Sequence, residues 1–157
     1  MRVTVPTQYL ARDGQAPMTD ESGEQAPVNR PAHIVVAEDD DVVRELIVTH
    51  LELAGYTTST ARNGYQALEV MTATQPQGVV LDLGMPKMDG MAVLKALRAN
   101  ARLRDIPVLV LTARHTVDDA QMAMALGAKD YMTKPFDGGR LIERIGRLIQ
   151  ASSTTPP

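Results

Sequence analysis

Gly78-Val79-Val80-Leu81-Asp82-Leu83-Gly84-Met85-Pro86-Lys87-Met88-Asp89-Gly90 is the stretch that decides the fold. A short apolar run ends in a carboxylate, Asp89-Gly90 reads as a turn, and a helical pattern follows from Met91. An earlier apolar run, His33 to Ala37, ends in the acidic trio Glu38-Asp39-Asp40. Two strand ends that each deliver carboxylates to one edge of a parallel sheet can hold a hard divalent cation between them, because magnesium takes oxygen ligands and keeps several waters. A further carboxylate oxygen could then act as a nucleophile.

Outward from these runs, short β-rich segments alternate with helical patterns, as in βαβ units. Strands are expected at His33 to Ala37, Thr57 to Thr60, Gly78 to Leu81, Val108 to Leu111 and Asp130 to Met132. The first helix carries Val43, Leu46, Ile47, Leu51 and Ala54 at three-to-four spacing, with Gly55 placed for a left-handed cap. Either Asp40 or Asp41 is its N-cap. Further helices are expected at Tyr65 to Ala73, Met91 to Ala99 and Thr116 to Leu126, the last closed by Gly127. A fifth follows Asp137, a good N-cap, with Leu141, Ile142, Ile145, Leu148 and Ile149 on one face. The fold class is α/β: a five-stranded parallel sheet with five helices, doubly wound. Right-handed crossovers put the loops after the strands on one edge, where an open α/β sheet carries its site.

Composition narrows the chemistry. The 157 residues include no cysteine, which excludes disulfides and thiolate chemistry. A net charge of -3, no Trp and Phe136 as the lone phenylalanine offer neither a basic groove nor stacking platforms, so direct nucleic-acid binding is not expected. No apolar run approaches the roughly 20 residues of a membrane helix, and a cytoplasmic protein is the simplest reading. Residues 1 to 32 are rich in Pro, Gly, Gln, Ser and acidic residues, and read as a disordered tail; Met18 is an alternative translation start. Residues 151 to 157 read as a short polar C-terminal tail.

At the strand ends stand Glu38, Asp39 and Asp40, then Asp82, Thr112 and, past the fifth strand, Lys134. These are the parts phosphoryl transfer requires: a carboxylate nucleophile, a carboxylate-bound cation, a hydroxyl donor and an ammonium charge. With Val-Val-Ala-Glu-Asp-Asp, Leu-Asp-Leu-Gly-Met-Pro-Lys-Met-Asp-Gly, Leu-Thr-Ala and Asp-Tyr-Met-Thr-Lys-Pro-Phe in order, residues 33 to 150 resemble the receiver domain of two-component response regulators, a flavodoxin-like fold. The resemblance implies Asp82 as phosphoacceptor, with Thr112 and Lys134 as its catalytic partners. It implies Mg²⁺ held by Asp39 directly, by Glu38 through water, by Asp82 and by the Gly84 carbonyl. Thr112 and Tyr131 would form the switch, and Pro135 would follow a cis peptide bond.

On this reading the protein is not an enzyme beyond catalysing its own phosphorylation and dephosphorylation. Its expected partners are a sensor histidine kinase or histidine phosphotransfer protein, and a protein target on the face of the fourth helix, fifth strand and fifth helix. Homodimerisation on phosphorylation stays open. With no residues after Gln150 for an effector domain, output is expected to pass to another protein. Gly84, where many family members carry a larger residue, and Arg114, a cation beside the same mouth, suggest rapid phosphoryl turnover. Two alternatives stand beside this one: a phosphorylation-independent interaction module, and a haloacid-dehalogenase-like phosphatase using Asp39 in an Asp39-x-Asp41-x-Val43 pattern.

Overall fold

The computed structural model describes residues 30–153. The expected N-terminal tail lies almost wholly outside the described residues, as do the Met18 start and the last four residues of the expected C-terminal tail. In chain order the elements are β1 (His33–Ala37), α1 (Asp41–Leu53), β2 (Thr57–Ala61), α2 (Gly64–Thr74), β3 (Gly78–Leu81), α3 (Gly90–Ala99), β4 (Val108–Thr112), α4 (Val117–Ala125), β5 (Asp130–Thr133) and α5 (Gly138–Ser153). The strands form one parallel sheet in the order β2-β1-β3-β4-β5.

The strand sequences explain why both faces are covered. Ile34 and Val36 of β1, Val80 of β3, and Leu109 and Leu111 of β4 pack against Ile47 and Leu51 of α1 and Leu141, Ile145 and Leu148 of α5. The alternate residues Val35, Ala37, Val79, Leu81, Val108 and Val110 turn to the other face, where α2, α3 and α4 supply Met71, Leu94 and Ala123. With a side-chain period of two, a continuous apolar run serves two cores at once.

Caps mark the helix boundaries. Asp40 begins α1, accepting from the Val42 and Val43 N–H groups at 2.9 and 3.0 Å. Asp89 is more than a turn residue: its carboxylate accepts from Ala92 N–H at 2.9 Å and starts α3. Thr116 caps α4, and Asp137 accepts from Arg140 N–H at 2.9 Å in the first turn of α5. Gly55 adopts φ 96°, the left-handed conformation expected of it. Helix α5 runs to Ser153, so residues 151 to 153 form its last turn rather than a tail.

The inward face of α1 differs from the expected stripe. Leu46 is 47% exposed and Ala54 is exposed, while Arg44, Ile47 and Leu51 are buried. Helical rotation of about 100° per residue puts positions 44, 47 and 51 on one side, and the apolar spacing that included Leu46 skipped Arg44 because it is charged.

Candidate functional site

Neighbouring strands β1 and β3 leave the sheet's carboxyl edge in opposite directions, because β1 continues to α1 and β2 on one side and β3 to α3 and β4 on the other. That is the switch point at which an open parallel sheet forms a crevice. The Asp82 N–H donates to Ala37 O at 3.0 Å and the Glu38 N–H to Ala61 O at 3.0 Å, so the ladder continues one residue past each strand and carries both carboxylates with it. Glu38, Asp39 and Asp82 each offer an oxygen within 4.8 Å of the others. Glu38 and Asp82 are buried and Asp39 is exposed.

Lys134 closes this group from β5. Its Nζ donates to Glu38 Oε2 at 2.6 Å and lies 3.5 Å from Asp82 Oδ2. Burial pushes the Glu38 carboxyl above the usual carboxylate range, and its hydrogen bond from Lys134 pulls it partly back. Burial alone would lower Lys134, but the Glu38 hydrogen bond and the Asp82 charge more than offset it and hold the ammonium above the ordinary lysine value. The peptide bond between Lys134 and Pro135 is cis, as the resemblance implied.

The loop from Asp82 to Gly90 is gripped by glycines whose missing Cβ atoms the packing requires. A Cβ on Gly90 would lie 2.5 Å from Asp82 O and 2.7 Å from Leu83 Cα, and one on Gly64 would collide with the Met88 carbonyl. Gly84 differs: its Cβ would stand 3.9 Å from both Asp82 carboxylate oxygens, in ordinary contact. Its N–H donates to Asp82 Oδ1 at 3.2 Å. Residue 84 therefore decides how open the Asp82 carboxylate is on that side.

Thr112, buried at the end of β4, accepts through Oγ1 from the Arg114 N–H at 3.2 Å. The half-buried Tyr131 donates its hydroxyl to Arg114 O at 2.7 Å rather than leaving it to water. Both residues of the expected switch thus hold the backbone of residue 114, a link the sequence reading lacked. Burial, with the Asp119 charge next, raises the Tyr131 phenol. The Arg114 guanidinium pairs with Asp119 at 4.0 Å, which is its ion-pair partner among the described residues.

Sequence reasoning also missed Arg44. Its buried guanidinium donates to Glu38 O at 3.0 Å and to Asp39 O at 3.5 Å, and it pairs with Asp41, whose carboxyl it helps hold below the usual range. A lone Arg one turn into an amphipathic helix, out of phase with exposed Glu45 and Leu46, was the available signal. Asp40 serves as a helix cap and Asp41 as the Arg44 partner, which leaves Glu38 and Asp39 to face Asp82. Because α1 begins at Asp41, the phosphatase pattern would have to run from loop into helix, and its second aspartate is 72% exposed beside Arg44.

The donor set suits a hard cation: three carboxylates within reach of one another, no nitrogen or sulfur ligand among them. A buried carboxylate thus stands at the switch point, flanked by an acidic pair, a strand-end hydroxyl and an ammonium. The chain belongs to the response regulator receiver domain family, whose model matches residues 34–146. Among curated proteins it is similar to the transcriptional regulatory protein PrrA of Mycobacterium leprae (strain TN), 41% identical over 128 residues, 82% of this chain and 54% of that protein. It is 37% identical to the DNA-binding dual master transcriptional regulator RpaA of Synechocystis over 78% of this chain and 51% of that one. The chain thus spans about half the length of the curated relatives it matches.

Among solved structures, the signal receiver domain of a signal transduction histidine kinase from Syntrophus aciditrophicus superposes with a TM-score of 0.73 at 33% identity, covering 80% of this chain and 95% of that one. Chemotaxis protein CheY4 of Vibrio cholerae gives 0.72 at 28% identity, covering 75% and 98%. Phosphorylation and Mg²⁺ are typical of the family. No helix among the described residues is long and apolar enough to cross a membrane.

Proposed function

We propose that this protein is a response regulator that accepts a phosphoryl group on Asp82 from a sensor histidine kinase or a histidine phosphotransfer protein, and signals through protein contacts in the cytoplasm. The observation that carries this reading is the joint placement of Glu38, Asp39 and Asp82 within 4.8 Å, with the Lys134 ammonium 3.5 Å from Asp82. In the transfer, an Asp82 carboxylate oxygen attacks phosphorus while the phosphorus–nitrogen bond of a phosphohistidine breaks. The bonding pair leaves on the imidazole, and Asp82 becomes an acyl phosphate. Hydrolysis reverses the charge change, with water attacking phosphorus and the carboxylate leaving.

Glu38, Asp39, Asp82 and the Gly84 carbonyl would hold Mg²⁺, which when bound neutralises charge on the phosphoryl oxygens. Lys134 supplies a fixed positive charge to another oxygen, and Thr112 a hydroxyl donor. Moving Thr112 toward the new phosphate removes its bond to the Arg114 N–H, and the carbonyl of the same residue holds Tyr131, so the two side chains move together. Output passes through the α4–β5–α5 face to a protein target. The DNA binding named for RpaA belongs to a protein of which this chain spans 51%.

The test is incubation with acetyl phosphate and Mg²⁺ followed by intact-mass measurement. One added phosphoryl group, dependent on the metal and absent in Asp82→Ala, is expected. No addition under conditions that label a control receiver would favour a phosphorylation-independent module instead.

A further inference from the structure

The sheet edge opposite the carboxylates concentrates charge of the other sign. Strands β4 and β5 begin there and α5 ends there, and between them opens a cavity of about 710 Å³. Five cations line it, Arg98, Arg104, Lys129, Arg144 and Arg147, against the two carboxylates of Asp105 and Asp130. A local excess of positive charge in a chain of net charge -3 opposes folding by self-repulsion unless a ligand offsets it.

Two of the five cations are locked in place. Arg98 donates to Leu126 O at 3.0 Å, to Arg104 O at 3.1 Å and to Gly127 O. It lies where a Cβ on residue 127 would fall, so Gly127, at φ 98°, makes room for it. Arg144 donates to Asp130 Oδ1 at 3.0 Å and Tyr131 O at 3.1 Å. The other three are available. The side chains of Arg104 and Lys129 have no hydrogen-bond or ion-pair partner among the described residues, and Arg147 meets only Glu143 at 3.6 Å. Buried Pro107 and Leu148 give the cavity an apolar flank.

We propose that this cleft binds a small phosphorylated molecule of nucleotide size, with phosphates on Arg104, Lys129 and Arg147 and its ring against Pro107 and Leu148. The volume falls within the roughly 300–1,000 Å³ of small-molecule sites, and guanidinium forks match phosphate oxygens in pairs. The site is independent of Asp82, since it occupies the opposite edge of the sheet. It reaches β5 through Asp130, whose Oδ1 accepts from both Arg144 and the Tyr131 N–H, so occupancy is readable at the Tyr131 amide.

The experiment titrates the full chain with ADP, and in parallel with inorganic pyrophosphate and adenosine, at physiological salt with EDTA present so that the acidic edge takes no metal–nucleotide complex. Saturable one-to-one binding of ADP below about 1 mM is expected, with a shift of the Tyr131 amide. The exposed pair Arg104→Gln/Lys129→Gln weakens it by roughly tenfold, while Arg140→Gln on the same helix but outside the cleft, and Asp82→Ala, leave it unchanged. Absence of saturation overturns the proposal, as does equal loss in Arg140→Gln. Pyrophosphate bound as tightly as ADP overturns the nucleotide-sized class.

Discussion

Replacing Arg44 by Met keeps the aliphatic stem and removes the guanidinium that holds the acidic loop. Of its contacts, the bond to Glu38 O at 3.0 Å carries the effect: the one to Asp39 O, at 3.5 Å, is at the limit of a hydrogen bond. A hydrogen bond from a charged donor contributes about 1.5–3 kcal/mol, and a carbonyl left unpaired in a buried place loses a comparable amount. The pair with Asp41 adds little, because that carboxylate is 72% exposed and solvent screens it. Stability should therefore fall by roughly 2–3 kcal/mol, read as a lower midpoint in urea with unchanged slope. If about 1 kcal/mol of this is lost from the positioning of Glu38 and Asp39, Mg²⁺ affinity falls about fivefold, measured by titration of the amide resonances of residues 38 to 40. Arg44→Lys should recover part of both, since one ammonium can replace the guanidinium nitrogen that meets the Glu38 and Asp39 carbonyls but leaves no second nitrogen for Asp41. Stability within about 0.5 kcal/mol of wild type would refute the argument outright. A full loss of stability with unchanged Mg²⁺ affinity would show that Arg44 supports the fold and not the ligands.

Three further outcomes follow from the same geometry. Gly90→Ala drives a Cβ into the Asp82 and Leu83 backbone, which cannot give as a flexible side chain would, so it should destabilise by about 1–3 kcal/mol in urea melts and displace the Asp82 amide resonance; a neutral effect would contradict the packing. Gly84→Asn meets Asp82 only in ordinary contact and screens its carboxylate, so the fold should be unaffected while the acyl phosphate lifetime lengthens roughly threefold, as followed by loss of the added mass. Lys134 and Tyr131 both have folded pKa values raised above their ordinary 10.5 and 10.0. Their stabilising contribution is complete below those ordinary values and is lost as pH rises through the folded ones, so the thermal midpoint should drop in that alkaline window and drop less in Lys134→Met; a midpoint unchanged across it would remove the argument.

How much was legible in the chain depended on the range of the interaction that decided each feature. The strand ends and their carboxylates could be read because an apolar run closing on Asp82 or on Glu38-Asp39 is a local pattern, and helix starts could be read because a cap such as Asp40 or Asp137 bonds only to residues within one turn of it. Leu46 was placed on the wrong face because apolar spacing sees hydrophobic residues and passes over a buried cation. Asp40 and Asp39 are equivalent as sequence neighbours. A helix cap claims the first and leaves the second to face Asp82, and that division depends on where α1 starts in space.

By itself the sequence determined the alternation of strands and helices, the edge on which the functional groups gather and their chemical kind, all consequences of local periodicity and of handed crossovers. Only the tertiary structure decided which groups meet in space: Lys134 on Glu38, Arg44 on the carbonyls of the acidic loop, Thr112 and Tyr131 on the backbone of one residue, and the cationic cleft where α3, α5 and the starts of β4 and β5 meet. Such pairings are set by packing a sheet between two helical layers, which fixes distances no local pattern encodes.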